Sequence, residues 1–238
     1  MAVRSLYREP QKRDEVDHPA LELIDVFRIY RSGEVETVAL RGLSMRIERA
    51  EVVAVFGPSG SGKSTFLHLA AGLDVPSAGE VRVGGRSLAR LNDDDLAAYR
   101  ARDIAIVFQN DNLWPALSAR ENVEVSLRMA GVRSPAKAAV TTLAWLGLGD
   151  RGRSRAAALS GGEQQRLAIA AAAARNAGLV LADEPTGELD QANERLVLEG
   201  LLRLRDEYRS TVVVVTHSPR VAEAADRVVE IRDGRAVA

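Results

Sequence analysis

Short continuous apolar runs alternate along the chain with longer segments that have the spacing of amphipathic helices. Four runs rich in aliphatic residues stand out: "VVAVFG", "IAIVFQ", "LVLADE" and "TVVVVTH". Runs of this length and composition indicate strands that are buried on both faces of a sheet. Helical spacing appears in "KSTFLHLAAGL", which stops at Gly72, in "DDDLAAYRARD", in "GGEQQRLAIAAAAARNAG", which ends at Gly178, and in "QANERLVLEGLLRLRDEY". The alternation predicts an α/β fold with a mainly parallel core sheet.

The remaining segments predict additions to this core. Strands are expected in "ALELIDVFRIY", which starts near Leu21, in "ETVALRGLSMRIERAE" and in "GEVRVGG", and an edge hairpin is expected in "DRVVEIRDGRAVA". Residues from about 112 to 155 have a helical pattern that is broken by glycine and proline, and we interpret them as an inserted helical lobe. Residues 1–20 are charged throughout and are predicted to be a disordered leader before a single domain at 21–238.

Composition excludes some classes of protein. The 238 residues have a net charge of −1, so the basic excess of a general nucleic-acid binder is missing and no nucleic-acid partner is expected. The chain has no cysteine, which excludes disulfides and cysteine metal sites. No apolar run approaches the roughly 18 residues that a membrane-spanning helix needs, so any work at a membrane requires a partner.

A glycine-rich segment, "GPSGSGKST" at 57–65, lies between a predicted strand and a predicted helix. It fits the pattern G-x-x-x-x-G-K-[ST], in which backbone N–H groups and the helix N-terminus surround the phosphates of a nucleotide. Lys63 is expected to reach the β and γ phosphates, and the Ser64 hydroxyl to hold Mg²⁺. A glycine-rich turn that fits by chance is the alternative, and the flanking strand and helix argue against it.

Two acidic residues end the predicted strand "LVLADE", where parallel sheets place their ligands. Asp183 is a candidate Mg²⁺ ligand, and the carboxylate of Glu184 can polarise an attacking water. Acidic residues in this position can also simply cap the next turn. The phosphate loop favours the catalytic interpretation.

A second helix start with unsatisfied N–H groups is predicted about a hundred positions after the phosphate loop, at "LSGGEQQR". Ser160 is a plausible N-cap there, and this helix N-terminus can also bind phosphate. If two copies of the chain faced each other, each phosphate loop could be closed by the other copy's helix.

These motifs together resemble those of the ATP-binding cassette (ABC) ATPases, and the resemblance extends over about 21–237. They occur in the family's order: the phosphate loop, Gln109 in "VFQN", "LSGGE", "LVLADE", "GELD" with Asp190, and His217 in "VVVTH". The resemblance implies a P-loop NTPase of the ABC type, with an N-terminal antiparallel β part and an inserted helical lobe. ATP and Mg²⁺ are the implied cofactors.

The resemblance also implies roles for individual residues. The implied catalytic residues are Glu184, as general base, and His217, which would contact the γ-phosphate. Gln109, near Mg²⁺ and the attacking water, and Lys63 complete the implied catalytic set. Metal ligands would be Ser64, Gln109 and Asp183. The implied nucleotide-binding residues are Tyr30 under the adenine, Gly57, Pro58, Ser59, Gly60, Ser61, Gly62, Lys63, Ser64 and Thr65, together with Ser160, Gly161, Gly162 and Glu163 acting on the partner's nucleotide. Tyr30 could alternatively be an ordinary half-buried strand aromatic, and His217 an ordinary strand-end histidine.

A narrower resemblance is to the lipoprotein-release, macrolide-exporter and cell-division type of ABC ATPase, although this chain has Glu188, Ala171 and Ser218 where asparagine, arginine and aspartate are usual. The implied function is the ATP-hydrolysing motor subunit of a transporter or force-transmitting complex. Its partners would be a second cassette, identical or not, in a head-to-tail sandwich and an integral membrane permease at the cytoplasmic face of the cell membrane. The permease would dock on "NDNLWPALSARENVEVSLRMAG", where Leu113 and Trp114 are either anchors or lobe core. A soluble ABC protein that acts on DNA or ribosomes is the alternative.

Overall fold

The computed structural model describes residues 18–33, 35–110, 112–132 and 134–237. Its strands are β1 (Leu21–Ser32), β2 (Val35–Ile47), β3 (Val52–Phe56), β4 (Ala78–Val83), β5 (Arg86–Ser87), β6 (Ile104–Val107), β7 (Leu179–Asp183), β8 (Thr211–Thr216), β9 (Arg227–Arg232) and β10 (Arg235–Val237). Its α-helices are α1 (Lys63–Ala70), α2 (Asp93–Arg102), α3 (Ala119–Met129), α4 (Pro135–Trp145), α5 (Gly161–Ala173), α6 (Gln191–Tyr208) and α7 (Pro219–Ala224).

The core is a six-stranded sheet in the order β10-β9-β3-β8-β7-β6. All neighbours in it are parallel except the β9–β10 pair, which is the predicted C-terminal hairpin. A second sheet, β2-β1-β4-β5, is antiparallel throughout. The predicted fold class, a mainly parallel core with an N-terminal antiparallel part and inserted helices, is confirmed.

The central strands are buried on both faces, as their continuous apolar runs predict. In β8, Val212 and Val214 pack into a cluster with α3, α4, α5 and α6. Their neighbours Val213 and Val215 point to the opposite face, into a cluster with α1 and the antiparallel sheet. Alternate side chains of one strand therefore belong to two separate apolar layers, which hold the sheet between them.

Several predicted boundaries differ from those observed. The helix expected to end at Gly178 ends at Ala173, although five alanines in a row favour helix there. The Arg175 guanidinium donates to the carbonyls of Arg100 and Ala101 at the end of α2, and Asn176 adopts a φ of 48°. These tertiary contacts turn the chain away from the helix axis. Likewise α1 ends at Ala70 rather than at Gly72.

The predicted lobe contains α3 and α4, which pack against each other and against α5. Its first residues, 112–118, are not helical. Residues 1–17, most of the predicted leader, lie outside the described residues. At the leader's predicted end, Ala20 is buried and its N–H donates to the Ile47 carbonyl at 2.9 Å. The described chain contains no helix that is long and apolar enough to cross a bilayer.

Candidate functional site

Three loops meet at one edge of the core sheet because β3, β8 and β7 are parallel neighbours in nearly matched register. Phe56, the last residue of β3, pairs with Thr216, the last residue of β8, and Asp183 at the end of β7 pairs with Val215. The segments that begin with Gly57, Glu184 and His217 therefore leave the sheet side by side. The carboxyl edge of a parallel sheet is where such folds place their ligands.

The phosphate loop is packed too tightly for side chains at two of its glycines. A Cβ at Gly57 would lie 2.2 Å from the Ile231 carbonyl oxygen, and one at Gly62 would lie 2.5 Å from that of Ala39. Gly62 also has a φ of 105° and directly precedes α1, whose first-turn N–H groups lack intrahelical acceptors. The exposed residues of the loop are Pro58, Ser59, Gly60 and Ser64. Only glycine allows the backbone to follow this path and direct its N–H groups into the loop.

Lys63 lies inside the loop with only 8% of its surface exposed. Its ammonium group donates to the carbonyl oxygens of Gly57 and Pro58 at 2.8 and 2.9 Å. Beside it, the Ser61 hydroxyl is buried and has no hydrogen-bond partner in the described chain. A cation and an unsatisfied polar group enclosed by glycine backbone fit an anionic ligand.

Asp183 faces the first turn of α1. Burial, and next the charge of Glu184, raise the pKa of the Asp183 carboxyl, while His68, the Ser64 hydroxyl and Lys63 act to lower it. No cluster of three or more His, Cys, Asp or Glu side chains that could cage a metal occurs in the described residues. A single carboxylate and a hydroxyl are nevertheless a donor set that suits Mg²⁺, which binds few protein oxygens and completes its shell with waters and phosphates.

Glu184 and His217 are in direct contact across the β7–β8 edge. The His217 Nδ1 atom lies 2.9 Å from one carboxylate oxygen of Glu184, and the His217 backbone N–H donates to the other at 3.3 Å. Glu184 has a φ of 44°, an uncommon conformation for a residue with a side chain. This turn directly after β7 places the carboxylate beside the histidine.

Gln109 lies in a loop that is closed by side chains which the sequence pattern did not identify. Asn112 bonds both the N–H and the carbonyl of Phe108, at 2.7 and 2.6 Å, and Gln165 of α5 donates to the same carbonyl at 3.2 Å. The Gln109 amide points to Glu188, 3.4 Å from its carboxylate oxygen. The loop is therefore tied to α5, the helix that begins with "GGEQQR".

A cleft of about 250 Å³ between the lobe and the core brings Gln109 and Glu184 together. Glu188, Leu113 and Gly161 also line it. Gln109 therefore contacts Glu188 and shares this cleft with the candidate base, Glu184. Its predicted role as a metal ligand stays a prediction.

The second helix start has the predicted N-cap. The Ser160 hydroxyl accepts from the Glu163 N–H at 3.3 Å, and the Glu163 carboxylate accepts from the Ser160 N–H at 2.9 Å, a reciprocal capping box. The hydrogen bond from the Ser160 N–H is the main cause that lowers the pKa of Glu163, and Arg151 is a smaller one. In the described residues no hydrogen bond or ion pair joins 160–163 to the phosphate loop at 57–65. The side-chain hydrogen bonds of this helix start lie within its own first turn and to Arg151.

Gly162 lies against the first turn of α6. A Cβ at this glycine would be 2.2 Å from the Oδ1 atom of Asn193. Arg166 donates to the same oxygen at 3.0 Å, and the Asn193 amide donates to the Asp190 carboxylate. Asn193 thus joins the "LSGGE" segment to the "GELD" segment, a contact that periodicity does not reveal because the two residues are far apart in sequence.

Two aromatic residues singled out from the sequence lie at the surface. Tyr30 is 37% exposed, and its hydroxyl donates to Asp74 at 2.8 Å. Trp114 is 64% exposed, which does not fit the alternative that it is lobe core. Leu113 differs, since it packs partly against the main apolar cluster. Asn122 holds the Trp114 backbone by bonds to its N–H and carbonyl, which presents the indole to solvent.

A phosphate-binding loop and paired acidic residues at one edge of a parallel sheet define a P-loop nucleoside triphosphatase. The family profile described as "ABC transporter" matches residues 40–187. The chain therefore belongs to the ABC transporter family and is an ABC ATPase, homologous to the ATP-binding subunits of transporters.

Individual relatives agree with this assignment. The chain is 48% identical over 219 residues to an uncharacterized ABC transporter ATP-binding protein of Thermotoga maritima, covering 90% of this chain and 92% of that protein. It is 43% identical over 218 residues to the macrolide export ATP-binding/permease protein MacB of Syntrophobacter fumaroxidans, covering 90% of this chain. That alignment covers only 30% of MacB, so the chain spans about a third of the length of such relatives.

A solved structure has the same fold. The dimeric ATP-binding cassette MJ0796, in a post-hydrolysis state bound to ADP and Pi, superimposes with a TM-score of 0.84 at 38% sequence identity. The match covers 92% of this chain and 97% of that one. The predicted family and the predicted ATPase class are confirmed.

Proposed function

We propose that this chain is the ATP-hydrolysing subunit of a membrane transport or force-transmitting complex. It would bind MgATP between its own phosphate loop and the α5 N-terminus of a second cassette, and closure of this head-to-tail pair would drive a separate permease. The observation that carries the proposal is the shared edge of three adjacent parallel strands, where Asp183 ends β7 and where Lys63, Glu184 and His217 follow β3, β7 and β8.

The residues at this edge divide the work of binding and hydrolysis. On binding, the Lys63 ammonium exchanges its hydrogen bonds to the two loop carbonyls for an ion pair with the phosphates and offsets their negative charge. Ser64 and Asp183 would hold Mg²⁺, which supplies charge neutralisation at the phosphate oxygens when bound. The Glu184 carboxylate accepts a proton from the attacking water, and its contact with His217 fixes its orientation.

The free N–H groups at the start of α5 support a role for a second subunit. Gly161 and Gly162 have N–H groups without an intrahelical acceptor, whereas the Ser160 N–H is bound by Glu163, and within the described residues this helix start makes no hydrogen bond to the phosphate loop. Such a helix end fits the γ-phosphate of a nucleotide held by another copy. The similar cassette MJ0796 has been solved in dimeric form, which supports the pairing of two cassettes.

The permease is proposed to dock at the cleft beside Gln109. Trp114 stands exposed near this cleft on a backbone that Asn122 fixes, which gives it the rigid aromatic character of an interface anchor. An exporter or force-transmitting partner is proposed because MacB relatives are described as ATP-binding/permease proteins of macrolide export. The complex would place this chain at the cytoplasmic face of the membrane.

A mixing experiment tests the shared sites. Lys63→Ala removes the phosphate cation in cis, and Ser160→Arg blocks the helix start in trans, so each pure variant should be inactive. A mixture should regain ATPase activity because one of its two sites combines an intact phosphate loop with an intact α5 start. A chain that carries both substitutions, mixed with wild-type protein, is the control for subunit exchange. If the two single variants stay inactive when mixed, the head-to-tail arrangement is wrong.

Glu184→Gln supplies the test for partners. It should bind ATP, hydrolyse it very slowly and accumulate as a dimer in light scattering. Used as bait in detergent-solubilised native membranes with ATP, it should retain one integral membrane protein, and Trp114→Ala in the same background should lose most of it. Recovery of only soluble proteins, DNA or ribosomes would contradict the transport role while leaving the ATPase intact.

A further inference from the structure

The segment that follows His217 is held by one carboxylate of α6, that of Glu194. The Ser218 hydroxyl donates to the Oε1 atom of Glu194 at 2.6 Å, and the Arg220 guanidinium donates to its Oε2 atom at 3.0 Å. Glu194 lies in the first turn of α6, and its side chain is only 13% exposed. Both oxygens of this carboxylate are therefore bound where solvent competes little for them. We call Glu194, Ser218 and Arg220 the Glu194 clamp.

Ser218 uses its hydroxyl for the clamp rather than for its own helix. It occupies the N-cap position of the short helix α7, where a serine side chain ordinarily accepts a hydrogen bond from the first helical turn. Its side chain makes no such cap bond in the described chain. The hydroxyl instead donates to Glu194, and the Ser218 N–H donates to the Thr216 hydroxyl at 2.9 Å. The residue after His217 is therefore bound both to the end of β8 and to α6.

An acidic residue in the first turn of a helix also has a simpler role, because it interacts favourably with the partial positive charge of the helix N-terminus. Glu194 is placed for that role, since its N–H donates to the Asp190 carbonyl at 2.8 Å. That role needs no partner in the segment after β8. The bonds to Ser218 and Arg220 are thus the observation that connects Glu194 to the hydrolytic site.

The clamp acts on the residue that contacts the candidate base. His217 directly precedes Ser218, and its Nδ1 atom and its backbone N–H lie 2.9 and 3.3 Å from the two carboxylate oxygens of Glu184. The His217 side chain is 67% exposed, so packing does little to fix it. Its position therefore depends on β8 before it and on the clamp after it.

We propose that Glu194 is a positioning residue for ATP hydrolysis, which keeps His217 against Glu184 by clamping the segment after His217 to α6. The inference rests on the proposed catalytic roles of Glu184 and His217 and adds the residue that sets their geometry. The clamp joins α6 to residues 218–220 and not to the phosphate loop, so its loss should slow hydrolysis and leave nucleotide binding unchanged. A displacement of about 1 Å at a reacting group can slow a reaction by about a hundredfold.

Steady-state ATPase assays and titration calorimetry with MgADP, both on the purified full chain, test the clamp. Glu194→Ala removes both bonds and should lower kcat by about ten- to a hundredfold. Ser218→Ala removes one bond and leaves the charge of α6 in place, so kcat should fall by about three- to tenfold. Ser218→Thr keeps the hydroxyl and should retain kcat. The Kd for MgADP should stay within about twofold of wild type in all three variants, because ADP lacks the γ-phosphate and is held by the phosphate loop.

The two alanine substitutions break the same contact, so their effects should not multiply. Glu194→Ala combined with Ser218→Ala should have the kcat of Glu194→Ala alone. Glu199→Ala is the matched control, because Glu199 also lies on α6 and pairs with an arginine, Arg195, but is 49% exposed. It should leave kcat unchanged. In the Glu184→Gln background, each clamp variant should still form the ATP-dependent dimer in light scattering.

The outcomes separate this inference from the proposed function. If Glu184→Gln or His217→Ala hydrolyses ATP as fast as wild type, the proposed catalytic pair is wrong, and the clamp has no pair to position. If both variants lose activity while Glu194→Ala keeps the wild-type kcat, the clamp is wrong and the proposed function stands. A loss in Glu194→Ala that Ser218→Ala does not share, or that comes with an equal loss of MgADP binding or of the dimer, would reduce Glu194 to a structural residue of α6.

Discussion

The contact between Gly162 and Asn193 makes the two neighbouring glycines of α5 unequal. A methyl group at Gly162 would lie 2.2, 2.3 and 2.8 Å from three side-chain atoms of Asn193, so the first turns of α5 and α6 would have to move apart by about 1 Å. At Gly161 the nearest atom, in Leu189, is 4.0 Å away, and the backbone has no positive φ. Gly162→Ala and Gly161→Ala are therefore a matched pair with the same chemistry and different space.

The expected magnitudes follow from this geometry. Overpacking costs about 1–3 kcal/mol, and the disturbed hydrogen bond from Arg166 to Asn193 costs about 1 kcal/mol more. Replacing glycine by alanine in a helix returns up to about 1 kcal/mol. We expect Gly162→Ala to lower the free energy of unfolding by about 1–3 kcal/mol, and Gly161→Ala to leave it unchanged or raise it by up to about 1 kcal/mol.

Urea denaturation followed by circular dichroism measures the difference. Asn193→Ala, which removes two of the three obstructing atoms, should recover part of the loss when combined with Gly162→Ala, giving a favourable coupling free energy in the double-mutant cycle. Equal stabilities of the two glycine variants would refute the argued contact between α5 and α6. An additive double mutant would show that Asn193 is not the obstructing residue.

Two further predictions concern the phosphate site. Lys63→Ala should abolish ATP binding or hydrolysis, because it removes the ammonium group that the carbonyls of Gly57 and Pro58 position for the phosphates. ATPase turnover near that of wild type would contradict this prediction. Asp183→Asn should raise the free energy of unfolding of the nucleotide-free protein at neutral pH while abolishing Mg²⁺-dependent hydrolysis. The pKa of Asp183 is higher in the folded state than in the unfolded state. The protonated carboxyl therefore stabilises the folded state at low pH, and this stabilisation is lost as the pH rises through the folded-state pKa. The advantage of the asparagine variant should therefore disappear below pH about 4 and reach its full size above the folded pKa, and a pH-independent difference would contradict the assigned cause.

Much of the fold was predictable because its signals are local. A strand buried on both faces needs a continuous apolar run, and β3, β6, β7 and β8 each have one. The phosphate loop needs glycine where the backbone is crowded, and Gly57 and Gly62 occur at those positions. Boundaries were less predictable where a distant side chain intervenes, as Arg175 does near the end of α5.

The candidate site was predictable only in part. Residues that carry a motif of their own, such as Lys63, Asp183 and Glu184, could be named in advance. The supporting residues Asn112, Gln165 and Asn193 could not, because a single glutamine or asparagine has no distinctive pattern and its role depends on what lies across the interface. Gln165 and Asn193 do follow the two recognised motifs closely in sequence, and that proximity was the one available signal.

The class of protein, the phosphate-binding segment and the alternation of strands and helices can be predicted from the amino-acid sequence alone. These depend on residue type and spacing over a few positions, where backbone conformation and burial are decided locally. The folded chain adds that β3, β8 and β7 are neighbours, that Trp114 is exposed and that Asp74 bonds Arg28 and Tyr30. Those features depend on which distant segments pack together, a property of the whole chain's packing that no short pattern encodes.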